Sequence, residues 1–126
     1  MKAEYRNYDA YRALEKIILA AGIEIVYQEV PDDSIDGEIW ARSDSDSLSI
    51  MMPDADDFPN AIKATKVLGH ELAHILTGLD SPDDPEKREV NEKNCDILGD
   101  SFYALAELIA NKEAEDALRY ASKNAD

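Results

Sequence analysis

The only two histidines of this 126-residue chain, His70 and His74, lie four residues apart in a segment with helical periodicity. Apolar residues recur there at three- and four-residue steps, and the pattern predicts a helix from about Asn60 to Gly78. Side chains four residues apart project from one helix face, so both imidazoles can reach a single ion. Glu71 completes the pattern H-E-x-x-H, in which the glutamate stands beside the ion as a general base. The segment therefore predicts a metal site whose remaining ligand comes from another element.

Carboxylates are the candidates for that third ligand. A catalytic zinc site needs three protein ligands and one open position, and the chain has no third histidine and a single cysteine elsewhere. Glu92 and Asp96 are four residues apart on a long predicted helix, so Glu92 can ligate while Asp96 accepts the free ring N–H of a ligand histidine. Glu89 lies one turn earlier on nearly the same face and remains the alternative. We prefer Glu92 because only Glu92 has an acid four residues further on.

A further candidate is Tyr103, which lies seven residues after Asp96 on the same predicted helix. Hydrolytic sites use a second polarising group beside the metal, and a tyrosine hydroxyl can donate a hydrogen bond to an oxyanion. Tyr103 is therefore a candidate oxyanion donor, with an ordinary half-buried tyrosine as the alternative.

Periodicity along the chain predicts an α+β fold in one domain spanning residues 1–126. The predicted elements are a helix over residues 4–21, a strand over 23–30, a hairpin of strands 38–42 and 47–52, the helix 60–78, a long helix from a capping box at 83–86 to about 110, and a short last helix over 113–122. The predicted core positions are Tyr5, Tyr8, Tyr11, Leu14, Ile18, Ala21, Ile39, Ala41, Leu48, Ile50, Met52, Ile62, Leu68, Leu72, Ile75, Leu76, Val90, Ile97, Leu98, Phe102, Leu105 and Ile109.

The charge balance narrows the classes of partner. Thirteen lysines and arginines stand against 28 aspartates and glutamates, for a net charge of −15. Phosphates would be repelled, which argues against direct binding to nucleic acid or to an anionic membrane. The longest apolar stretch, residues 17–23, is far shorter than the ~20 residues of a membrane span, and we see no signal peptide. A single cysteine fits a reducing compartment, so we expect a cytoplasmic protein.

Together these motifs resemble the zinc-dependent metallopeptidases of the gluzincin kind, and more narrowly the ImmA/IrrE type. The resemblance is carried by Ala-Gly-Ile-Glu-Ile-Val at 21–26, Ile-Asp-Gly at 35–37, Leu-Ser-Ile at 48–50, Leu-Gly-His-Glu-Leu-Ala-His-Ile-Leu at 68–76, and the pair Glu92 and Asp96. It implies a minimal zincin-like domain that holds Zn²⁺ through His70, His74 and Glu92, with Glu71 as general base. It further implies cleavage of a protein or peptide substrate, such as a transcriptional repressor of a phage or mobile element.

Two rival hypotheses stay open at this level. One is an acidic protein-binding module, for example a DNA mimic, whose metal site is vestigial or structural. Such a module has no need of Glu71, and no further Cys or His is present to close the fourth position of a structural site. The other is a zincin-like module that acts only within a complex. For a protease, residues 47–52 are a candidate edge strand for pairing with an extended substrate. The sequence does not separate zinc from manganese or iron.

Overall fold

Three helices and a small mixed β-sheet make up the fold in a computed structural model, which describes residues 8–29, 41–78 and 83–123. This confirms the α+β class. The elements in chain order are α1 (Asp9–Ala20), β1 (Glu24–Gln28), β2 (Arg42–Asp44), β3 (Ser49–Pro53), a 3₁₀ turn (Ala55–Asp57), α2 (Ala61–Thr77) and α3 (Pro85–Lys123). In the described part of the chain, no helix is both long enough and apolar enough to cross a membrane.

Helix α1 packs one apolar stripe into the core, as its periodicity predicts. Tyr11, Leu14 and Ile18 are buried there. Ala21 was also predicted to face the core, but it follows the last helical residue and is exposed. Gly22 then turns the chain into β1 with a φ of +84°, a conformation that costs glycine little. The prediction for Tyr5 lies outside the described residues.

The sheet places β3 in the centre, parallel to β1 on one side and antiparallel to β2 on the other. The predicted use of residues 47–52 as an edge is therefore wrong, because β3 has a hydrogen-bonded neighbour on both sides. Ile50 and Met52 of this strand are fully buried, as predicted. In the described residues, β1 and β2 are the strands with one partner each.

The hairpin between β2 and β3 differs from its predicted register by about two residues. Its loop is 45–48 rather than 43–46, because the Asp44 carboxylate accepts hydrogen bonds from the backbone N–H groups of Asp46 (3.0 Å) and Ser47 (3.4 Å). Leu48 was predicted to lie in the core, but it ends this turn with a φ of 51° and its side chain is exposed. Ala41, which precedes β2, is buried as predicted. Ile39 lies outside the described residues.

Helix α2 begins and ends where the sequence predicts. The Asn60 side chain accepts a hydrogen bond from the backbone N–H of Lys63 (2.8 Å), and Gly78 ends the helix in the left-handed conformation. Leu68 and Leu72 are buried, while Ile62 and Ile75 are half-buried. Leu76, also predicted to be inward, lies on the outer face near the helix end and is exposed.

Helix α3 is a single helix of 39 residues, so the predicted break before a separate last helix is wrong. The predicted core stripe is also wrong in part, because Val90, Ile97 and Leu105 are exposed. The buried positions of α3 are instead held by small residues: Cys95, Gly99 and Ala106. The predicted core residues Leu98, Phe102 and Ile109 are half-buried beside them. Small side chains let α3 approach α2 and α1 closely, and a pattern built on large apolar residues does not show this face.

Candidate metal centre

Helices α2 and α3 pack against each other in opposite directions, and this packing brings the motif residues together. Contacts along the two helices run in reverse order: Lys66 with Asp100, His70 with Asp96, and His74 with Glu92. The H-E-x-x-H segment of α2 therefore faces the first half of α3. Tertiary packing thus brings the histidines of α2 next to the carboxylates of Glu92 and Asp96 on α3.

Three side chains converge on one point between these helices. The Nε2 atoms of His70 and His74 are 3.2 Å apart. Glu92 reaches both rings: one carboxylate oxygen lies 2.9 Å from His70 Nε2 and the other lies 3.2 Å from His74 Nε2. Both imidazoles are largely buried, whereas 42% of the Glu92 side chain is exposed, so the cluster opens to solvent on the α3 side.

Asp96 contacts the ring of His70 at Nδ1, whereas the other ring nitrogen, Nε2, faces Glu92. The Asp96 carboxylate lies 2.7 Å from Nδ1 of His70. A carboxylate is an acceptor at neutral pH, so Nδ1–H donates to it, and this contact orients the ring with Nε2 facing the cluster. This is the arrangement in which a metal-binding histidine is oriented by a second carboxylate.

Glu71 lies beside this cluster and is buried, with 8% of its surface exposed. Its ligand atom and those of the two histidines lie within 4.8 Å of one another. Burial raises the pKa of the Glu71 carboxyl, and the two imidazoles and a hydrogen bond from Ser43 act in the opposite direction. A carboxylate with a raised pKa, next to a possible ion site, is suited to accept and return a proton.

The structure separates the two candidates for the third ligand. Glu89 is exposed and pairs with Lys93 at 3.3 Å on the surface of α3, whereas Glu92 is the carboxylate that contacts both histidines. Tyr103 is not brought to the cluster. It lies beside Lys66, whose ammonium nitrogen is 5.5 Å from the centre of the tyrosine ring, and it lines a cavity near the start of α2.

Cys95 is fully buried on the α3 face that carries Glu92. Burial, followed by the charges of Glu92, Glu71 and Asp96, raises the pKa of its thiol to about 11. The thiol is therefore protonated at neutral pH, and we treat Cys95 as a packing residue between α2 and α3.

The ligand atoms of His70, His74 and Glu92 suit a small tetrahedral ion. Nitrogen and oxygen ligands ~2.0–2.1 Å from a tetrahedral zinc stand ~3.3–3.4 Å apart. The three separations here, 2.9 to 3.2 Å, require an outward shift of only a few tenths of an ångström. The donor set of two imidazoles and a carboxylate is also one that zinc accepts. These residues can therefore hold a metal ion.

Sequence reasoning missed two features of this centre. The first is Ser43 of β2, whose hydrogen bond to Glu71 depends on a strand register that the sequence does not reveal. The second is the close contact between Gly69 and Gly99, which lies next to His70. Helix-interior glycine at both positions was the available signal, since glycine is unfavourable there without a packing reason.

Comparison with family models, with curated proteins and with solved structures finds no match to this chain. A function is therefore proposed from the geometry of the candidate metal centre.

Proposed function

We propose that the chain is a zinc-dependent metallopeptidase with a minimal zincin-like domain. The observation that carries the proposal is the convergence of His70, His74 and Glu92 within 3.2 Å, with Glu71 buried beside them. Two imidazoles and one carboxylate leave an open position, which distinguishes a catalytic zinc site from a closed structural one. The resemblance of the motifs to the ImmA/IrrE type of gluzincin points to the same chemistry.

In this proposal each residue has a separate task. His70, His74 and Glu92 hold the ion, and Asp96 keeps the Nε2 lone pair of His70 directed at it. A bound Zn²⁺ supplies a Lewis acid that makes water a nucleophile at neutral pH. Glu71 would accept the proton that this water loses as the water oxygen bonds to the peptide carbonyl carbon. It would pass that proton to the amine nitrogen as the peptide C–N bond breaks, which leaves a carboxylic acid and an amine.

The substrate proposed is a protein or peptide segment. Strand β2 has one partner among the described strands, and its Ser43 contacts Glu71, so an extended chain that paired with β2 on the side away from β3 would lie next to the proposed base. A net charge of −15 favours a basic segment over an acidic one. By resemblance we propose a regulatory protein such as a phage or mobile-element repressor, in the cytoplasm.

The first test is the zinc content of the purified protein, measured by plasma mass spectrometry. We expect about one zinc per chain in the wild type, loss of zinc in Glu92→Ala, and retention in the matched control Glu89→Ala, which lies on the same helix but pairs with Lys93. A wild-type protein that takes up no added zinc would contradict the proposal and favour the acidic binding module.

A second variant separates metal binding from catalysis. Glu71→Gln keeps the size of the side chain but cannot accept a proton, so zinc should remain bound while peptide cleavage falls by at least ~100-fold. The measurement is zinc content beside cleavage of a peptide library read by mass spectrometry. Cleavage by Glu71→Gln at the wild-type rate would refute the role of Glu71.

A further inference from the structure

Two glycines form a close backbone contact between the helices that carry the candidate metal centre. A Cβ atom at Gly69 of α2 would lie 2.9 Å from the carbonyl oxygen of Gly99 and 3.1 Å from its Cα. A Cβ atom at Gly99 of α3 would lie 2.9 Å from the backbone nitrogen of His70 and 2.9 Å from the carbonyl oxygen of Lys66. These are backbone atoms, which cannot rotate away as a side chain can. Any side chain at either position therefore has to push α2 and α3 apart.

The contact lies directly beside the ligands. Gly69 precedes His70, and Gly99 lies less than one turn from Asp96 and about two turns from Glu92 on the same helix. The ligands of the proposed ion are thus divided between two helices whose separation this contact sets. A Cβ at 2.9 Å would lie well inside ordinary van der Waals contact, which begins at 3.4 Å, whereas metal–ligand distances tolerate deviations of only about ±0.2 Å.

We propose that Gly69 and Gly99 are positioning residues for the metal centre: their contact sets the spacing at which Glu92 of α3 reaches the two histidines of α2. This inference rests on the proposed metal-dependent function and adds to it the element of the fold that fixes the site. Glycine within a helix costs about 1 kcal/mol relative to alanine, so two glycines facing each other in helix interiors need a compensating role. Setting the spacing of the metal ligands, which begin one residue away at His70, is that role.

The test is zinc affinity of the folded protein, measured by calorimetric titration of the metal-free chain with Zn²⁺. We expect Gly99→Ala and Gly69→Ala to bind zinc on the order of 10- to 100-fold more weakly than wild type, the range seen when groups that orient metal ligands are lost. The matched control is Gly22→Ala. Gly22 has a φ of +84° and no neighbour within 4 Å, so alanine there strains the fold without touching the helix pair, and zinc affinity should stay within about twofold of wild type.

A second measurement does not depend on the metal. Nitrogen-15 NMR of the metal-free protein reports the hydrogen bond between His70 Nδ1 and Asp96, which spans the two helices at 2.7 Å. We expect its imidazole N–H signal in wild type and Gly22→Ala, and its loss or a large shift in Gly99→Ala. A purely structural role would lower stability and leave this signal unchanged in the folded fraction.

The outcomes distinguish this inference from the proposed function. Wild type that binds no zinc refutes the metal site itself, whatever the glycine variants do. Wild type that binds zinc, together with Gly99→Ala that binds it equally tightly, refutes the positioning role alone. Circular dichroism checks folding, with sucrose added to stabilise a weakened variant. If both glycine variants remain unfolded in sucrose, the contact is a requirement of the whole fold and the inference fails.

Discussion

At the scale of single residues, the position of a carboxylate decides what it does. Asp96 and Asp100 are one turn apart on α3 and both meet a cationic or titratable group of α2. Asp100 pairs with Lys66 at 3.5 Å, and both side chains are well exposed, which is an arrangement worth little in free energy. Asp96 contacts the largely buried ring of His70 at 2.7 Å and selects its tautomer. Only the second contact reaches a residue of the candidate metal centre.

Replacing Asp96 with alanine tests this distinction. The Nδ1–H of His70 then loses its acceptor, so the ring is free to rotate or change tautomer, and we expect zinc affinity to fall by roughly 10- to 100-fold. Asp100→Ala is the control, because it removes an exposed carboxylate one turn away and should leave zinc affinity within about twofold of wild type. Competition with a chromogenic chelator measures both. Equal losses in the two variants would show that net charge, not orientation of His70, matters.

At the scale of elements, α3 consists of two parts with different surroundings. Its buried and half-buried residues lie between positions 91 and 110, where α3 packs against α2 and α1 through Cys95, Gly99 and Ala106. Beyond Ala114, which lines a surface cavity with α1, the described side chains are exposed. Two i,i+4 ion pairs involve these last turns, Lys112 with Asp116 at 3.2 Å and Arg119 with Glu115 at 3.1 Å. Pairs of this kind contribute only ~0.3–0.5 kcal/mol each.

The last turns of α3 should therefore be dispensable for stability. Proline in a helix interior costs ~3 kcal/mol or more, but the side chains described around Ala117 are exposed, so we expect Ala117→Pro to lower the free energy of unfolding by less than ~1 kcal/mol. Ala104→Pro is the matched control: it is also an exposed alanine of α3, and we expect a loss of ~3 kcal/mol or more. Urea unfolding measures both. A large loss from Ala117→Pro would mean that the end of α3 supports the fold.

These elements also show how far sequence reasoning reaches. Helix α2 could be predicted with both ends and with H-E-x-x-H on it, because capping by Asn60, the stop at Gly78 and a four-residue spacing are all local. The core face of α3 could not be predicted, because its buried positions include Gly99 and Ala106, which a search for large apolar residues passes over. The register of β2 depended on the Asp44 turn, so the contact of Ser43 with Glu71 was out of reach.

At the scale of the whole molecule, the side of the fold formed by α1 and β1 carries a chain of hydrogen bonds. The hydroxyls of Tyr11 and Tyr27 are 3.0 Å apart, and Tyr27 donates to the Glu15 carboxylate. Burial, together with the negative charges of Glu15 and Asp54, raises the pKa of Tyr11 to about 12. The pKa of Tyr27 is raised as well, first by burial and then by its hydrogen bond to Glu15. Each hydroxyl therefore stays protonated to a higher pH in the folded chain than in the unfolded one.

This difference makes stability depend on alkaline pH with a definite sign. A group whose pKa is higher in the folded state stabilises the fold below its unfolded pKa, near 10 for tyrosine, and this contribution is lost as pH rises toward the folded value. For Tyr11 the shift of about two units corresponds to about 3 kcal/mol, of which about 2 kcal/mol should be lost by pH 11.5. Urea unfolding between pH 9 and 11.5 measures the loss.

Tyr11→Phe should show a shallower decline than wild type because residue 11 no longer ionises, although it starts from lower stability without the hydrogen bond to Tyr27. Tyr120→Phe, at an exposed tyrosine on the last turns of α3, should follow the wild-type curve. Parallel curves for wild type and Tyr11→Phe would contradict this prediction. They would mean that the pKa of Tyr11 is similar in the folded and the unfolded state.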